Sequence, residues 1–256
     1  MRRIALAVIA ALAVGAASAG SAAAINSVQK FSASLTPVAP GTAAKPAPIA
    51  LNVRGWFDDI TLDPDTFALK QIRIYFPKQV VFNGKRFPQC SRARVEASAA
   101  RCRNARIGGG KGVGTALGLT EDLEIQAFNG PGGKRVELRV IGRSPLEIDG
   151  VIEAKLGAQT ADPRFGQVLT VLIPEVFTRK IFDTYATLTE FSAKVPVKNI
   201  KSGKRKIPYA GLTGCPAEGL TFGYQADYTD GTTGKVEVVQ SCDGGSVPSA
   251  AAPTTP

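Results

Sequence analysis

The strongest constraint in this chain is a period of two. Leu123, Ile125 and Ala127 alternate with Glu124, Gln126 and Phe128, and Asn129-Gly130-Pro131-Gly132-Gly133 then supplies a turn. Val136, Leu138 and Val140 return with Arg135, Glu137 and Arg139 between them. Successive side chains of a strand point to opposite faces, so this segment reads as a β-hairpin with one apolar and one charged face. The pattern recurs. Ile49, Leu51 and Val53 alternate with Ala50, Asn52 and Arg54 and run into Trp56 and Phe57. Phe67 and Leu69, then Ile72, Ile74 and Phe76, repeat it with a register break between them. Further strands are expected over residues 25–35, 151–156, 167–173 and 185–197.

Glycine (27) and proline (17) fall between these runs rather than in one low-complexity block. That distribution suits many short strands joined by turns. Residues 37–48 read as a linker or edge loop, and the alanine-rich stretch 92–101 as the one short helix. No internal repeat divides the chain. With 256 residues there is room for one sizeable β domain or two small ones. The expected fold is all-β, an antiparallel β-sandwich or jelly-roll-like body over residues 25–242. Its last hairpin has Leu220, Phe222, Tyr224, Ala226 and Tyr228 on one face, a turn at Thr229-Asp230-Gly231-Thr232, and a return over 235–241. Residues 209–242 belong either to that body or to a distinct C-terminal hairpin module.

The first 24 residues read as a signal peptide. Arg2 and Arg3 precede an apolar run over 4–14 that is too short to span a bilayer. Ala17-Ser18-Ala19 and Ala22-Ala23-Ala24 offer two cleavage sites. No later segment is apolar and long enough to be transmembrane, and residues 243–256 read as a disordered tail. The expected location is secreted or associated with the cell envelope.

Cysteine usage agrees with export. Cys90, Cys102, Cys215 and Cys242 are an even set, as expected outside the cytosol. Of the three possible pairings, Cys90–Cys102 and Cys215–Cys242 is favoured because each closes a short unit, the second clamping the last hairpin. Each bridge contributes on the order of 3 kcal/mol. A zinc site is the rival reading, but there is no C-x-x-C spacing and no histidine in the chain.

The absence of histidine also excludes Ser-His-Asp and Cys-His nucleophile systems. The run Gly108-Gly109-Gly110-Lys111-Gly112-Val113-Gly114-Thr115 superficially suggests a phosphate loop, but Gly112 stands where a P-loop needs Ser or Thr. It reads instead as a flexible glycine-rich turn beside a disulfide. Glu124 and Glu137, on facing strands of one hairpin, are the candidate carboxylate pair for a carbohydrate-active enzyme. Their arginine neighbours also suit an ordinary solvated face. Asp58, Asp59, Asp63 and Asp65 are a weak calcium candidate, their spacing matching no EF-hand loop. Trp56, the single tryptophan, is expected in the core.

The formal charge of +10, two fewer without Arg2 and Arg3, favours anionic partners, or serves solubility alone. Lys194, Lys198, Lys201, Lys204, Arg205 and Lys206 concentrate it in one short stretch that suits salt-sensitive polyanion binding. The plainer reading is a solvated loop protecting an edge strand.

Two stretches carry a resemblance. One includes Ser34-Leu35-Thr36-Pro37, Leu69-Lys70-Gln71-Ile72-Arg73-Ile74, Phe87-Pro88-Gln89-Cys90-Ser91 and Arg101-Cys102-Arg103-Asn104-Ala105. The other is Cys215-Pro216-Ala217-Glu218-Gly219 with Tyr228-Thr229-Asp230-Gly231 and Cys242. Together they resemble a group of functionally uncharacterised, secreted, β-rich actinobacterial proteins with paired cysteines. The resemblance implies an extracytoplasmic location and supports both local disulfides; it implies no activity or ligand. The functional expectation is a non-enzymatic, cofactor-free protein binding anionic cell-envelope or extracellular polymers, with no specific nucleic-acid partner. A paired-carboxylate carbohydrate-active enzyme and a calcium-dependent binding module are the alternatives.

Overall fold

Eighteen strands form among the residues that a computed structural model of the chain describes, which are 29–57, 68–116, 119–144, 147–178, 180–181 and 184–242. The expected signal peptide, the four aspartates at 58, 59, 63 and 65, and the expected tail lie outside them. In chain order the strands are β1 (Gln29–Thr36), β2 (Ala47–Pro48), β3 (Ala50–Phe57), β4 (Leu69–Pro77) and β5 (Val80–Phe82). A helical segment follows, with α1 (Arg92–Ala97) and a 3-10 turn (Ala99–Ala105). Then come β6 (Arg106–Ala116), β7 (Leu119–Asn129), β8 (Arg135–Gly142), β9 (Ile148–Ala158) and β10 (Phe165–Leu172). The two-residue β11 (Lys180–Ile181) and β12 (Thr184–Tyr185) lead to β13 (Thr187–Val195). Last are β14 (Asn199–Ser202), β15 (Arg205–Pro208), β16 (Ala210–Leu212), β17 (Leu220–Tyr228) and β18 (Thr233–Gln240).

Eleven of these make one antiparallel sheet in the order β1-β3-β13-β6-β7-β8-β9-β10-β4-β17-β18. Consecutive strands β6 to β10 form a meander. β13, β3 and β1 extend it from one side, and β4, β17 and β18 from the other. Neighbouring strands in a twisted sheet are rotated by about 20–25°, so eleven of them carry the sheet round on itself. Its two edge strands, β1 and β18, come together, and the wrap is nearly closed. At the seam the Gln240 side chain substitutes for a ladder: its Nε2 donates to Leu35 O at 3.0 Å, and its Oε1 accepts from Leu35 N at 2.7 Å.

The expected all-β antiparallel body, short helix and clamped C-terminal hairpin are all present. Cys90 bonds Cys102, and Cys215 bonds Cys242. The C-terminal hairpin β17–β18 continues the sheet, with β17 pairing β4 from Gly223–Tyr75 to Tyr228–Leu69. The period of two sets which face is inside. Leu51 and Val53, Ile72, Ile74 and Phe76, and Val136, Leu138 and Val140 point inward. The outward face carries the pairs Arg54–Glu190, Arg73–Asp227, Arg135–Glu153 and Arg139–Asp149. An apolar inside with a charged outside is the reverse of a membrane-spanning barrel, whose outward band is apolar.

Two expectations are corrected. The glycine run is not a turn but the middle of β6, hydrogen-bonded to β13 on one side and β7 on the other. A Cβ on Gly110 would strike Ser192 O of β13, and one on Gly108 would strike Lys194 O. Glycine is there because the two backbones approach too closely for a side chain. Trp56 is not a core residue; it stands half-buried on the outward face, with the Arg54 guanidinium 4.7 Å from its ring centroid.

The helical segment covers the outside of the meander. Val95, Cys90, Cys102 and Ala105 pack there on the outward side chains Phe128 and Val151, forming a second small core.

Candidate functional site

A barrel of about eight strands has an interior that side chains just fill, and its diameter grows with strand number. Eleven strands enclose more space than their inward residues occupy. On the β1, β17 and β18 side the interior is filled. Phe31 stacks on Tyr224 with ring centroids 5.2 Å apart, Phe191 lies 5.8 Å from Tyr224, and Gln29 Nε2 donates to the hydroxyls of Tyr224 (3.2 Å) and Tyr228 (2.9 Å). Burial holds both phenols well above the usual tyrosine range.

On the opposite side the interior is open. A cavity of about 240 Å³ lies between β3, β4, β13 and the β6–β10 meander, lined almost entirely by aliphatic side chains such as Leu123, Ile125, Leu138, Ile152, Leu169 and Ala193. One end is stoppered by Phe82 and Tyr209, whose rings are 6.2 Å apart, with Phe87 edge-on to Tyr209 at 5.3 Å. Burial raises the Tyr209 phenol well above its ordinary range, so it stays neutral in this apolar plug. At the other end the cavity reaches the surface beside Leu119, which lines it and is half exposed. Phe177, on the 3-10 turn after β10, reaches over that end into space left by Gly150, where a Cβ would come within 2.6 Å of its ring.

Thr115, Glu121 and Thr187 border the chamber toward its open end. Thr115 on β6 and Thr187 on β13 are cross-strand partners. Both hydroxyls are buried without a hydrogen-bond partner, and the ladder register sets them on the face opposite Gly114 and Leu188, which turn into the chamber. Glu121 on β7, 5% exposed, shares the inward parity of Leu123 and Ile125. Its Oε1 accepts from Ser144 N at 3.1 Å and occupies space that a Cβ on Gly142 would take. Sequence reading missed all three. The signal for Glu121 was available: a carboxylate at an apolar-face position of an otherwise clean alternation.

The residues singled out from sequence fall elsewhere. Glu124 is exposed and accepts from Gln126 Nε2 at 2.8 Å. Glu137 is 1% exposed, beneath the helical segment, with its Oε2 unpartnered. Burial first, and then the nearby Glu153 carboxylate, push Glu137 above the usual carboxylate range. In the β7–β8 ladder Glu137 faces Phe128, four residues along from Glu124. At about 3.4 Å per residue that is roughly 14 Å, outside the roughly 5–9.5 Å that glycosidic bond hydrolysis requires of a carboxylate pair. This pair therefore does not form such a site. Among the described residues no group of three or more His, Cys, Asp or Glu side chains is placed to hold a metal.

The basic stretch stands at the stoppered end. Lys201, Lys204, Arg205 and Lys206 are exposed on the β14–β15 hairpin, and Lys194 is exposed on β13. Lys198 differs: it is half-buried, and its Nζ donates to the carbonyls of Asn104 (3.0 Å) and Arg106 (2.5 Å). Burial lowers its pKa from the usual lysine value. That contact ties the hairpin's base to the helical segment, so the exposed Lys85, Arg86, Arg94, Arg101, Arg103 and Arg106 belong to the same end of the molecule.

The fold and cavity define a near-closed antiparallel β wrap with an apolar interior chamber. No known protein family, curated protein or solved structure matches the chain.

Proposed function

We propose that the protein is a non-enzymatic binder that holds one small apolar molecule inside the sheet. The cavity carries this reading. Its volume exceeds the roughly 150 Å³ apolar cavity that suffices for a benzene-sized guest, and ligand sites in β-barrels are commonly such mostly apolar interiors with a few polar groups. A void of this size lined by aliphatic groups costs contacts that a ligand would restore. The charged outer face leaves the ligand no comparable place on the outside.

The test is a titration with pyrene, a hydrocarbon whose emission reports the polarity around it. One equivalent should bind saturably in an apolar environment. Ala193→Phe, which places a ring in the chamber next to Gly110, should weaken that binding by at least tenfold without lowering the unfolding temperature. Pyrene that remains in a water-like environment, or binds the variant equally, would remove the proposal.

A second reading concerns where the protein resides. Association with anionic envelope or extracellular polymers is supported by the shared position of the β14–β15 hairpin and the arginine-rich helical segment. In the stretch 84–106 the only acidic residue is Glu96, and it is paired with Arg92 at 2.7 Å. Retention on immobilised heparin should fall steeply with salt, and further when Lys201, Lys204, Arg205 and Lys206 are all changed to Gln. Retention that ignores both changes would dismiss this reading and leave the first intact.

A further inference from the structure

The arginines of the outer surface fall into two sets. Along the sheet they are paired: Arg54 with Glu190, Arg73 with Asp227, Arg135 with Glu153, Arg139 with Asp149, and Arg164 with both Asp162 and Glu237. In the stretch 84–106 Arg92 is paired, with Glu96. Arg86, Arg94, Arg101 and Arg103 are exposed there and, among the described residues, take part in no ion pair. A guanidinium whose fork is not already taken can meet an oxyanion with two parallel hydrogen bonds.

These side chains also stand on a fixed base. The Cys90–Cys102 bond closes the segment, Val95 is fully buried against the sheet, and the wholly buried Asn129 donates from Nδ2 to the carbonyls of Gly84 and Pro88, both at 2.9 Å. The lysines of the β14–β15 hairpin stand instead on a ribbon that forms its own two-stranded sheet. Engaging a side chain on a rigid base costs less conformational entropy, and a lysine ammonium is a point charge without the fork. The mouth of the chamber differs in charge. Exposed Asp122, Glu147 and Glu175 stand beside it, against Lys70 and Arg143, so a polyanion meets repulsion there. Resting on the proposal of association with anionic polymers, we infer that the arginines of the helical segment anchor a polymer of repeating oxyanions. The polymer lies across the stoppered end and leaves the chamber's mouth uncovered.

Two variants that remove equal charge test the anchor. One carries Arg94→Gln, Arg101→Gln and Arg103→Gln; the other carries Lys201→Gln, Lys204→Gln and Lys206→Gln. All six positions are exposed, so urea midpoints should stay at the parent value. The probes are heparin, which bears sulfate, and inorganic polyphosphate, and the tighter of the two names the oxyanion. At 0.15 M salt the arginine variant should lose about tenfold in affinity and the lysine variant about threefold or less. Phenylglyoxal labelling of the unaltered protein reads the orientation. Saturating polymer should slow modification of Arg94, Arg101 and Arg103 several-fold and leave the rate at Arg143, the unpaired arginine beside the mouth, unchanged. Equal losses in the two variants, a greater loss in the lysine variant, or equal protection of Arg143 would overturn this inference while the affinity for polyanions stands. Binding of neither polymer would remove that reading and the inference together.

Discussion

At the scale of single residues, the informative positions are polar side chains on buried faces. Glu137 sits outward on β8 but under the helical segment, with Phe128 and Glu153 as its neighbours across the ladder. Burial makes its ionised form costly, so the folded state holds the proton more tightly than the unfolded chain does. With the folded pKa raised, Glu137's stabilising share is complete below the unfolded value. It is lost as pH rises through the folded value. Glu137→Gln removes that dependence. The variant should be more stable than the parent at pH 7, and the difference should shrink toward pH 4, as read from urea midpoints across that range. A constant difference at all pH values would mean that the carboxylate does not titrate differently in the two states. The arginines facing it, Arg135 and Arg92, pull the other way and limit the effect.

At the scale of elements, turns and alternation were legible, and spatial neighbours were not. The β7–β8 and β17–β18 hairpins form where Asn129-Gly130 and Asp230-Gly231 interrupt clean period-two runs, because turn chemistry and alternation are both local. Both disulfides close such local units. Strand β6 was misread because the reason for its glycines lies in β13, about eighty residues later in the chain. Composition alone cannot separate a glycine that frees a turn from one that admits a neighbouring backbone. The chamber was equally hidden: Leu138 or Ile152 reads the same whether it touches another side chain or faces a void. These origins make different predictions for substitution. Gly110→Ala drives a methyl into Ser192 O and should cost at least about 2 kcal/mol. Gly157, on β9, has nothing within 4 Å of its would-be Cβ, so Gly157→Ala should be neutral or stabilising by up to about 1 kcal/mol. Urea unfolding of the pair checks this, and equal effects would deny the close approach of β6 to β13.

At the scale of the whole molecule, one side chain joins the two ends of the sheet. The ladder runs from β1 round to β18 through ten strand pairings, and Gln240 spans the remaining gap by offering Leu35 the donor and acceptor that a neighbouring backbone would have supplied. Gln240 sits at an inward position of β18, on the same parity as Val236 and Val238, where the alternation calls for an apolar residue. Leucine there would satisfy the pattern and fit the space, yet it would strand the amide and the carbonyl of Leu35 in a buried seam. Each such group costs roughly 1–3 kcal/mol, so Gln240→Leu should destabilise the protein by about 2–4 kcal/mol. Hydrogen exchange separates loss at the seam from general weakening. The Leu35 amide should exchange through a local opening of β1 against β18, while amides of the β6–β10 meander exchange only with global unfolding. Because the filled, aromatic side of the interior lies against this seam, pyrene binding on the far side should persist in the variant. If Leu35 and the meander instead lost protection equally, closure would be a property of the entire wrap and Gln240 only one of many contacts within it.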